Sequence, residues 1–312
     1  MTPQAQGLAH SVHVRLIARA RAVGVEPNLV LTRFATERLL YRLSRSPHAD
    51  RFVLKGALLM LFWLGEMIRP TRDADLLGFG DLSDASLGRT FEEICATAVE
   101  PDGIEFDPSS VRVVLIRPED AYGGKRVTLA GRLGSARLRV QVDVGIGDAV
   151  TPEPEWIEYP SLLEFPRPCL RAYRPETTIA EKLHAMVVLG SKNSRMRDFF
   201  DIQALARRQA FAGDQLARAI RATFERRGTP IPVGLPVALT PEFAAMPDKL
   251  AQWAGFRRKG NLIAAPEDLC VVADEIAAFL GPVVDAARRG EALAMLWPAG
   301  GPWRRRGGTP DA

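Results

Sequence analysis

Three aspartates have the spacing that most directly implies chemistry in this chain. Asp73 and Asp75 form an Asp-Ala-Asp pair, and Asp143 lies downstream in the run Val-Gln-Val-Asp-Val. Carboxylates arranged in this way can hold two divalent metal ions about 4 Å apart, and oxygen ligands of this kind suit Mg²⁺. Such a site neutralises a triphosphate and makes an attacking hydroxyl more acidic, which is what phosphoryl or nucleotidyl transfer requires.

The predicted strands determine whether these acids meet. Apolar runs predict one strand over residues 72–77 and another over 137–144. Because side chains alternate between the two faces of a strand, Asp73 and Asp75 share a face. On the second strand, the valines flanking Asp143 point into the core and Asp143 points away from it. The three carboxylates come together if the two strands are neighbours.

A glycine precedes the acids at a predicted turn. The apolar strand 52–54 ends at Lys55-Gly56, and a buried helix is predicted over 57–64. Glycine lets the backbone approach phosphates closely, and the amides at a helix start favour anions. We therefore predict that Lys55, Gly56 and Ala57 bind the nucleotide, although a glycine at a strand-to-helix turn is by itself common.

Other candidate motifs are interpreted as structural. The run Tyr122–Arg126 has the glycines and lysine of a P-loop, but it lacks the upstream glycine and the Ser or Thr after Lys125, so it predicts a hairpin turn. The four histidines have no cysteine or acidic partner at zinc spacing, so no zinc site is expected. An isolated Asp-x-Asp is usually a solvated strand face; here its apolar setting and the matching Asp143 favour a metal site.

The second half of the chain is predicted to be helical, with segments at 176–189, 194–208, 214–226, 241–254 and 267–280. Lys182 on the first helix can reach a triphosphate and stabilise the leaving pyrophosphate, although a lone helical lysine is most often solvated. On the next helix Asp198 is the better functional candidate. Asp201 is predicted to pair with Arg197, which lies four residues earlier.

A change in composition near residue 150 predicts the domain organisation. We expect an α/β (α+β) domain over residues 1–150 that opens with N-terminal helices, and a helical domain over 151–290. The remaining stretch, 291–312, is rich in glycine, proline and arginine and is predicted to be a flexible tail.

Composition limits the possible location and partners. The chain has 312 residues, 47% hydrophobic and 25% charged, which is typical of a globular protein. Its longest apolar run is too short to span a bilayer, no signal peptide is evident, and three distant cysteines fit reduced thiols. We therefore predict a cytoplasmic protein with no membrane partner. The net charge of +4 is compatible with RNA.

Five segments together resemble the AbiEii/AbiGii family of nucleotidyltransferase toxins from bacterial toxin–antitoxin systems. They cover the glycine turn, the Asp-Ala-Asp pair, the Asp143 strand and the two helices with Lys182 and Asp198, and they are Phe52–Ala57, Arg69–Leu76, Val140–Gly145, Pro175–Lys182 and Asn193–Asp201. The resemblance covers roughly residues 10–285, and the joint occurrence of these motifs is specific.

The resemblance implies a polymerase-β-like nucleotidyltransferase fold with a mixed sheet, followed by a helical domain. It implies that Gly56, Asp73 and Asp75 form the metal and phosphate motif with Asp143 as third acid. Lys182 then binds the nucleoside triphosphate, and Asp198 is a further catalytic or positioning acid. It also implies Mg²⁺, an NTP substrate, a tRNA 3′ end as acceptor with a block of translation, and a cognate antitoxin. Ala57 departs from the usual Gly-Gly or Gly-Ser, and the gap from Gly56 to Asp73 is long.

Two alternatives remain open at the level of sequence. The same site can modify a small molecule or a protein hydroxyl, or the chain can be a nucleotide-binding interaction module without catalysis. A basic groove beside Asp143 favours RNA, whereas a closed pocket favours a metabolite. Three mutually repelling carboxylates argue against a module that has lost its chemistry.

Overall fold

The structure is a computed structural model that describes residues 3–65, 70–71, 73–116, 124–262 and 265–305. The chain divides into two compact units, one formed by residues 1–62, 70–147 and 155–172 and the other by residues 63–69, 148–154 and 173–312. Arg69 and Arg72 of the quoted motifs, Tyr122 and Gly123 of the predicted hairpin turn, and residues 306–312 of the predicted tail lie outside the described residues.

The first unit combines helices with a sheet. In chain order its elements are α1 (Pro3–Ala22), α2 (Pro27–Arg45), β1 (Phe52–Lys55), α3 (Leu58–Leu64, which continues into the second unit), β2 (Ala74–Gly78), α4 (Asp84–Ala96), β3 (Ile104–Ile116), β4 (Gly124–Leu133), β5 (Ala136–Ile146), β6 (Glu155–Glu158) and β7 (Cys169–Ala172).

The described strands of this unit form one mixed sheet in the order β3-β4-β5-β2-β1-β7-β6. The strands β3, β4 and β5 are antiparallel neighbours, whereas β2 runs parallel to β5 and antiparallel to β1. This confirms the predicted α/β (α+β) class with a mixed sheet. The central position of β2, between β1 and β5, is the feature that positions the candidate site.

Helix packing selects which face of the sheet is buried. Pro27 occupies the first turn of α2, where its missing N–H costs nothing, and the Glu26 carboxylate accepts a hydrogen bond from the Asn28 amide. The helix packs against β5. On β5 the side chains of Val140, Val142 and Val144 are at most 1% exposed. The alternate positions of β5, including Asp143, therefore lie on the opposite face.

The sequence pattern did not predict two strands, one within the proline-rich stretch around residues 149–168 and one directly after it. The strand β7 pairs in parallel with β1 through Ala172 and Leu54, and β6 pairs with β7. Each strand has only four residues, too few for a clear alternation. Because these strands complete the sheet, the first unit extends to residue 172 instead of ending at 150.

The second unit is mostly helical. Its elements are α5 (Pro175–Leu189), α6 (Met196–Arg208), β8 (Phe211–Ala212), α7 (Gly213–Arg226), α8 (Pro241–Ala244), α9 (Pro247–Gly260), α10 (Leu269–Arg289), β9 (Met295–Trp297) and β10 (Arg304–Arg305). Where one helix is predicted over 241–254, the structure has α8 and α9, because Pro247 begins a new helix. Within the described residues, no helix is long and apolar enough to cross a membrane.

Part of the predicted flexible tail packs on this unit. The strand β9 pairs with both β8 and β10. The Trp303 ring stacks on Phe279 of α10 with a centroid separation of 5.9 Å, and its indole N–H donates to the Phe279 carbonyl at 2.8 Å. Aromatic burial therefore orders residues whose local composition is typical of disorder.

Candidate active site

Four charged residues lie side by side across the middle of the sheet. Asp75 on β2 is the cross-strand partner of Asp143 on β5 and of Lys55 on β1. Asp143 in turn faces Arg126 on β4. Direct partners in a sheet project on the same face, so the side chains form a row in the order Lys55, Asp75, Asp143, Arg126. We call this the charged row.

Asp73 adds a third acid beside the charged row. It precedes β2 by one residue, and it lies two residues before Asp75. Extended backbone places residues two apart on one side. Asp73, Asp75 and Asp143 are all partly exposed. The structure thus supports the expected proximity of Asp75 and Asp143 through their shared register.

Asp143 is held by Arg126, which the sequence pattern placed in a hairpin turn and which the structure places on β4. The Arg126 guanidinium donates to both carboxylate oxygens at 2.8 Å, in a two-pronged arrangement. The Gln141 amide makes a longer contact of 3.4 Å to one of these oxygens. The hydrogen bond to Asp143 raises the pKa of Arg126, with further contributions from the charges of Asp143, Asp73 and Asp75. All three aspartates therefore contribute to stabilising the charged form of Arg126.

The turn after β1 is shaped around Asp75. Gly56 has a φ of +72°, and a Cβ built on it would lie 2.0 Å from the nearer Asp75 carboxylate oxygen. Only glycine provides both this left-handed conformation and this space. The backbone thus passes directly beside the Asp75 carboxylate. The following helix α3 has only seven residues, so few aligned peptide dipoles support the predicted anion site at its start.

The carboxylates of this site have the chemistry that Mg²⁺ binds, but Asp143 is already paired with Arg126. Mg²⁺ in proteins takes oxygen ligands from one or two carboxylates, and the Asp73 and Asp75 side chains have this chemistry. No set of three His, Cys, Asp or Glu side chains in the described residues is already gathered as a metal site. Both oxygens of Asp143 accept hydrogen bonds from Arg126. Asp143 must share or exchange that partner before it can bind a metal ion.

Lys182 and Asp198 belong to a separate buried cluster in the second unit. The Lys182 ammonium on α5 lies 2.6 Å from Asp198 and 2.9 Å from Asp201, both on α6. The Asp201 side chain is 0% exposed, whereas Arg197 is exposed. The structure therefore gives Asp201 a partner that differs from the predicted Arg197. A fully buried carboxylate needs a partner that is itself fixed and shielded from water.

A large cavity lies elsewhere in the first unit. It has a volume of about 490 Å³, and Arg15, Arg19 and Arg167 are among its lining residues. Part of its wall comes from the loop before β7. Because β7 runs parallel to β1 and Ala172 pairs with Leu54, this loop and the Lys55 end of β1 lie at opposite ends of the sheet. The cavity is therefore distinct from the charged row.

Comparison with known proteins identifies the family. The profile described as nucleotidyl transferase AbiEii toxin, type IV TA system, matches residues 38–275. The chain belongs to the AbiEii family of nucleotidyltransferase toxins. This confirms the resemblance stated from the motifs, and the matched range contains the charged row and the Lys182 cluster. The family assignment makes the protein a nucleotidyltransferase and the toxin of a toxin–antitoxin system, which implies an NTP substrate and an antitoxin.

Two solved structures are similar to this chain. MenT4, a nucleotidyltransferase toxin from Mycobacterium tuberculosis H37Rv, is 19% identical, with 91% of this chain and 99% of that chain covered and a TM-score of 0.51. JHP933 from Helicobacter pylori is 17% identical, with 82% and 90% covered and a TM-score of 0.42. At 19% identity, the similarity to MenT4 concerns the fold alone. No curated protein matches the chain.

The Gly56→Ala variant tests whether the turn positions Asp75. The added methyl group meets the Asp75 carboxylate, so we expect the side chain to move and nucleotidyl transfer to fall about 100-fold, the loss that a displacement of about 1 Å can cause. The matched control is Gly134→Ala, because Gly134 also has a positive φ but its nearest neighbour would be 4.0 Å away. Both variants should lose about 1 kcal/mol of stability from the left-handed backbone. Equal activities of the two variants would contradict the role of Asp75.

The partner of Asp201 can be identified from stability. Asp201→Ala leaves Lys182 with one fewer buried carboxylate, and we expect the free energy of unfolding to fall by about 3 kcal/mol or more. Arg197→Ala should change it by less than about 0.5 kcal/mol. Urea denaturation followed by circular dichroism measures both values. A comparable loss in the Arg197 variant would instead favour the pair within α6.

Proposed function

We propose that this AbiEii-family enzyme uses Mg²⁺ bound by Asp73, Asp75 and Asp143 to transfer nucleotides from an NTP to an RNA acceptor. The proposed acceptor is the 3′ end of tRNA, whose modification blocks translation. The observation that carries the proposal is the register that sets Asp75 beside Asp143, with Asp73 two residues away and Gly56 against the Asp75 carboxylate.

The proposed reaction assigns a task to each residue of the site. The acceptor hydroxyl oxygen attacks the α-phosphorus of the NTP, and pyrophosphate leaves. Mg²⁺, when bound, neutralises the triphosphate charge and acidifies the attacking hydroxyl. Asp73 and Asp75 would hold the metal, and Asp143 would complete the ligand set and accept the hydroxyl proton. Gly56 admits the phosphates to the backbone turn, with Lys55 and Ala57 on either side of it.

Lys182 and Asp198 keep their proposed roles at the nucleotide. By family resemblance Lys182 is a triphosphate ligand, and Asp198 positions it or acts as a further acid. The geometry within the second unit is compatible with these roles, because Asp198 and Asp201 hold the ammonium from two sides. Asp201 is in this view a positioning residue, since it is fully buried.

An open basic face beside Asp143 favours RNA over a small molecule. On β5 the residues that share the face of Asp143 include Arg139 and Arg137, and both are exposed. Within the described residues neither has an ion-pair partner. The strand rise places them about 13 Å and about 20 Å from Asp143. Two guanidinium groups in line with the acid can contact phosphates upstream of an RNA 3′ end, where lysine and arginine contacts dominate affinity.

The central prediction concerns Asp73. Purified protein is incubated with total tRNA, Mg²⁺ and each labelled NTP in turn, and incorporation into RNA is measured. Asp73→Ala should reduce incorporation to background, because the metal loses a ligand, and the circular dichroism spectrum should be unchanged.

Asp274→Ala is the control, since Asp274 is an exposed aspartate on α10. Wild-type incorporation by the Asp73 variant would remove the proposed metal site. Absence of label from RNA with the wild-type protein, despite Mg²⁺-dependent NTP binding, would remove RNA as the acceptor and move the search to small molecules and proteins.

The basic face predicts a selective loss of RNA affinity. The double variant Arg137→Glu/Arg139→Glu should raise the KM for RNA by about tenfold or more and leave the KM for the NTP unchanged. The dependence of log Kd on log salt concentration should become shallower by about 0.7 or more per lost phosphate contact.

Arg89→Glu/Arg258→Glu gives the same charge change at exposed helical positions and serves as the control. Equal effects of the two double variants on RNA would show that only net charge matters.

A further inference from the structure

The third acid of the proposed metal site is already paired. Both oxygens of Asp143 accept hydrogen bonds at 2.8 Å from Arg126. The Asp143 side chain is 22% exposed and the Arg126 side chain 38% exposed. The pair is therefore reachable from solvent and is not locked in the core.

The two basic residues at the ends of the charged row offset the negative charge of the acids between them. Lys55 and Arg126 flank Asp75 and Asp143 in register, and Asp73 lies close by. A divalent ion at the acids would bring its own positive charge next to Arg126, and like charges at such short range repel strongly. The same ion would bring a triphosphate with it, and a guanidinium fork matches phosphate oxygens as well as it matches a carboxylate.

We propose that Arg126 exchanges partners during the reaction cycle: it pairs with Asp143 in the nucleotide-free enzyme and binds the triphosphate once Asp143 engages the metal. This inference rests on the proposed function, because it requires Asp143 to be a metal ligand. Arg126 then has two effects of opposite sign. It competes with the metal for Asp143, and it contributes to the affinity for the nucleotide.

The neighbouring residues of β4 support this assignment by contrast. Arg132 lies on the same face of the strand and pairs with Glu105 on β3 at 2.7 Å, away from the acids. Lys125 projects on the other face and pairs with Asp84 at 2.5 Å. Among these basic residues of β4, Arg126 is the one whose partner is a proposed catalytic acid.

The test measures metal binding separately from nucleotide binding. Binding of Mn²⁺ to the protein without nucleotide is measured by calorimetry or by electron paramagnetic resonance, and the KM for the NTP is measured in the transfer assay. Arg126→Gln should bind Mn²⁺ about threefold more tightly or better, because the competitor for Asp143 is gone. The same variant should show a KM for the NTP that is raised by about tenfold or more.

Two further variants make the result specific. Arg126→Lys retains the charge but not the fork, so both of its changes should be smaller than those of Arg126→Gln. Arg132→Gln removes an arginine from a carboxylate pair on the same strand and should leave Mn²⁺ affinity and the KM for the NTP unchanged.

The outcomes separate this inference from the proposed function. If wild-type protein binds Mn²⁺ and Asp75→Asn weakens that binding, the metal site stands; unchanged Mn²⁺ affinity in Arg126→Gln then overturns the exchange alone. Weaker Mn²⁺ binding in Arg126→Gln also overturns it, because Arg126 would then only hold Asp143 in place. Failure of wild-type, Asp75→Asn and Arg126→Gln proteins alike to bind Mn²⁺ would overturn the metal site and the exchange together.

Discussion

The parallel pairing of β2 with β5 is the constraint on which the rest of the candidate site depends. It is a long-range contact, since the paired residues Asp75 and Asp143 are far apart in sequence. A shift of one residue in this register would move every side chain of one strand to the opposite face. The buried valines of β5 prevent such a shift, because it would expose them and bury Asp143. The hydrophobic core thus specifies the position of the acids.

Bringing carboxylates together has an electrostatic cost that the sheet itself offsets. Asp75 and Asp143 are adjacent carboxylates, and like charges at short range repel each other. The flanking strands supply Lys55 and Arg126 at the same level. The same arrangement explains Gly56, since the chain must turn beside Asp75 where no Cβ fits. The electrostatic balance of the sheet and the proposed metal chemistry thus depend on the same few residues.

The second unit uses buried charge in another way. Lys182, Asp198 and Asp201 form a cluster whose side chains are at most 14% exposed. Buried ion pairs of this kind contribute little net stability compared with apolar packing, yet they are costly to break. Their value here is orientation, because two fixed carboxylates restrict the lysine ammonium to one position.

Much of this architecture follows from the local sequence pattern, and the rest depends on long-range pairing. The apolar periodicity and the Asp-Ala-Asp, glycine and Lys182 motifs predict the mixed α/β class, the family and most helices, because each is encoded within a few residues.

The partner of Asp201 could not be predicted from the local pattern, since it depends on how α5 packs against α6. The short strands β6 and β7 were missed because they depend on long-range pairing: β7 pairs with β1, and β6 pairs with β7. The pairing of Arg126 with Asp143 could have been predicted from the sequence. The tight turn at Gly134 and Ser135 sets Leu133 opposite Ala136, and counting outward from this pair along both strands places Arg126 opposite Asp143. The sequence by itself determined which residues can do chemistry, whereas tertiary structure decided their partners, because a side chain's charge is local but the register of a sheet is not.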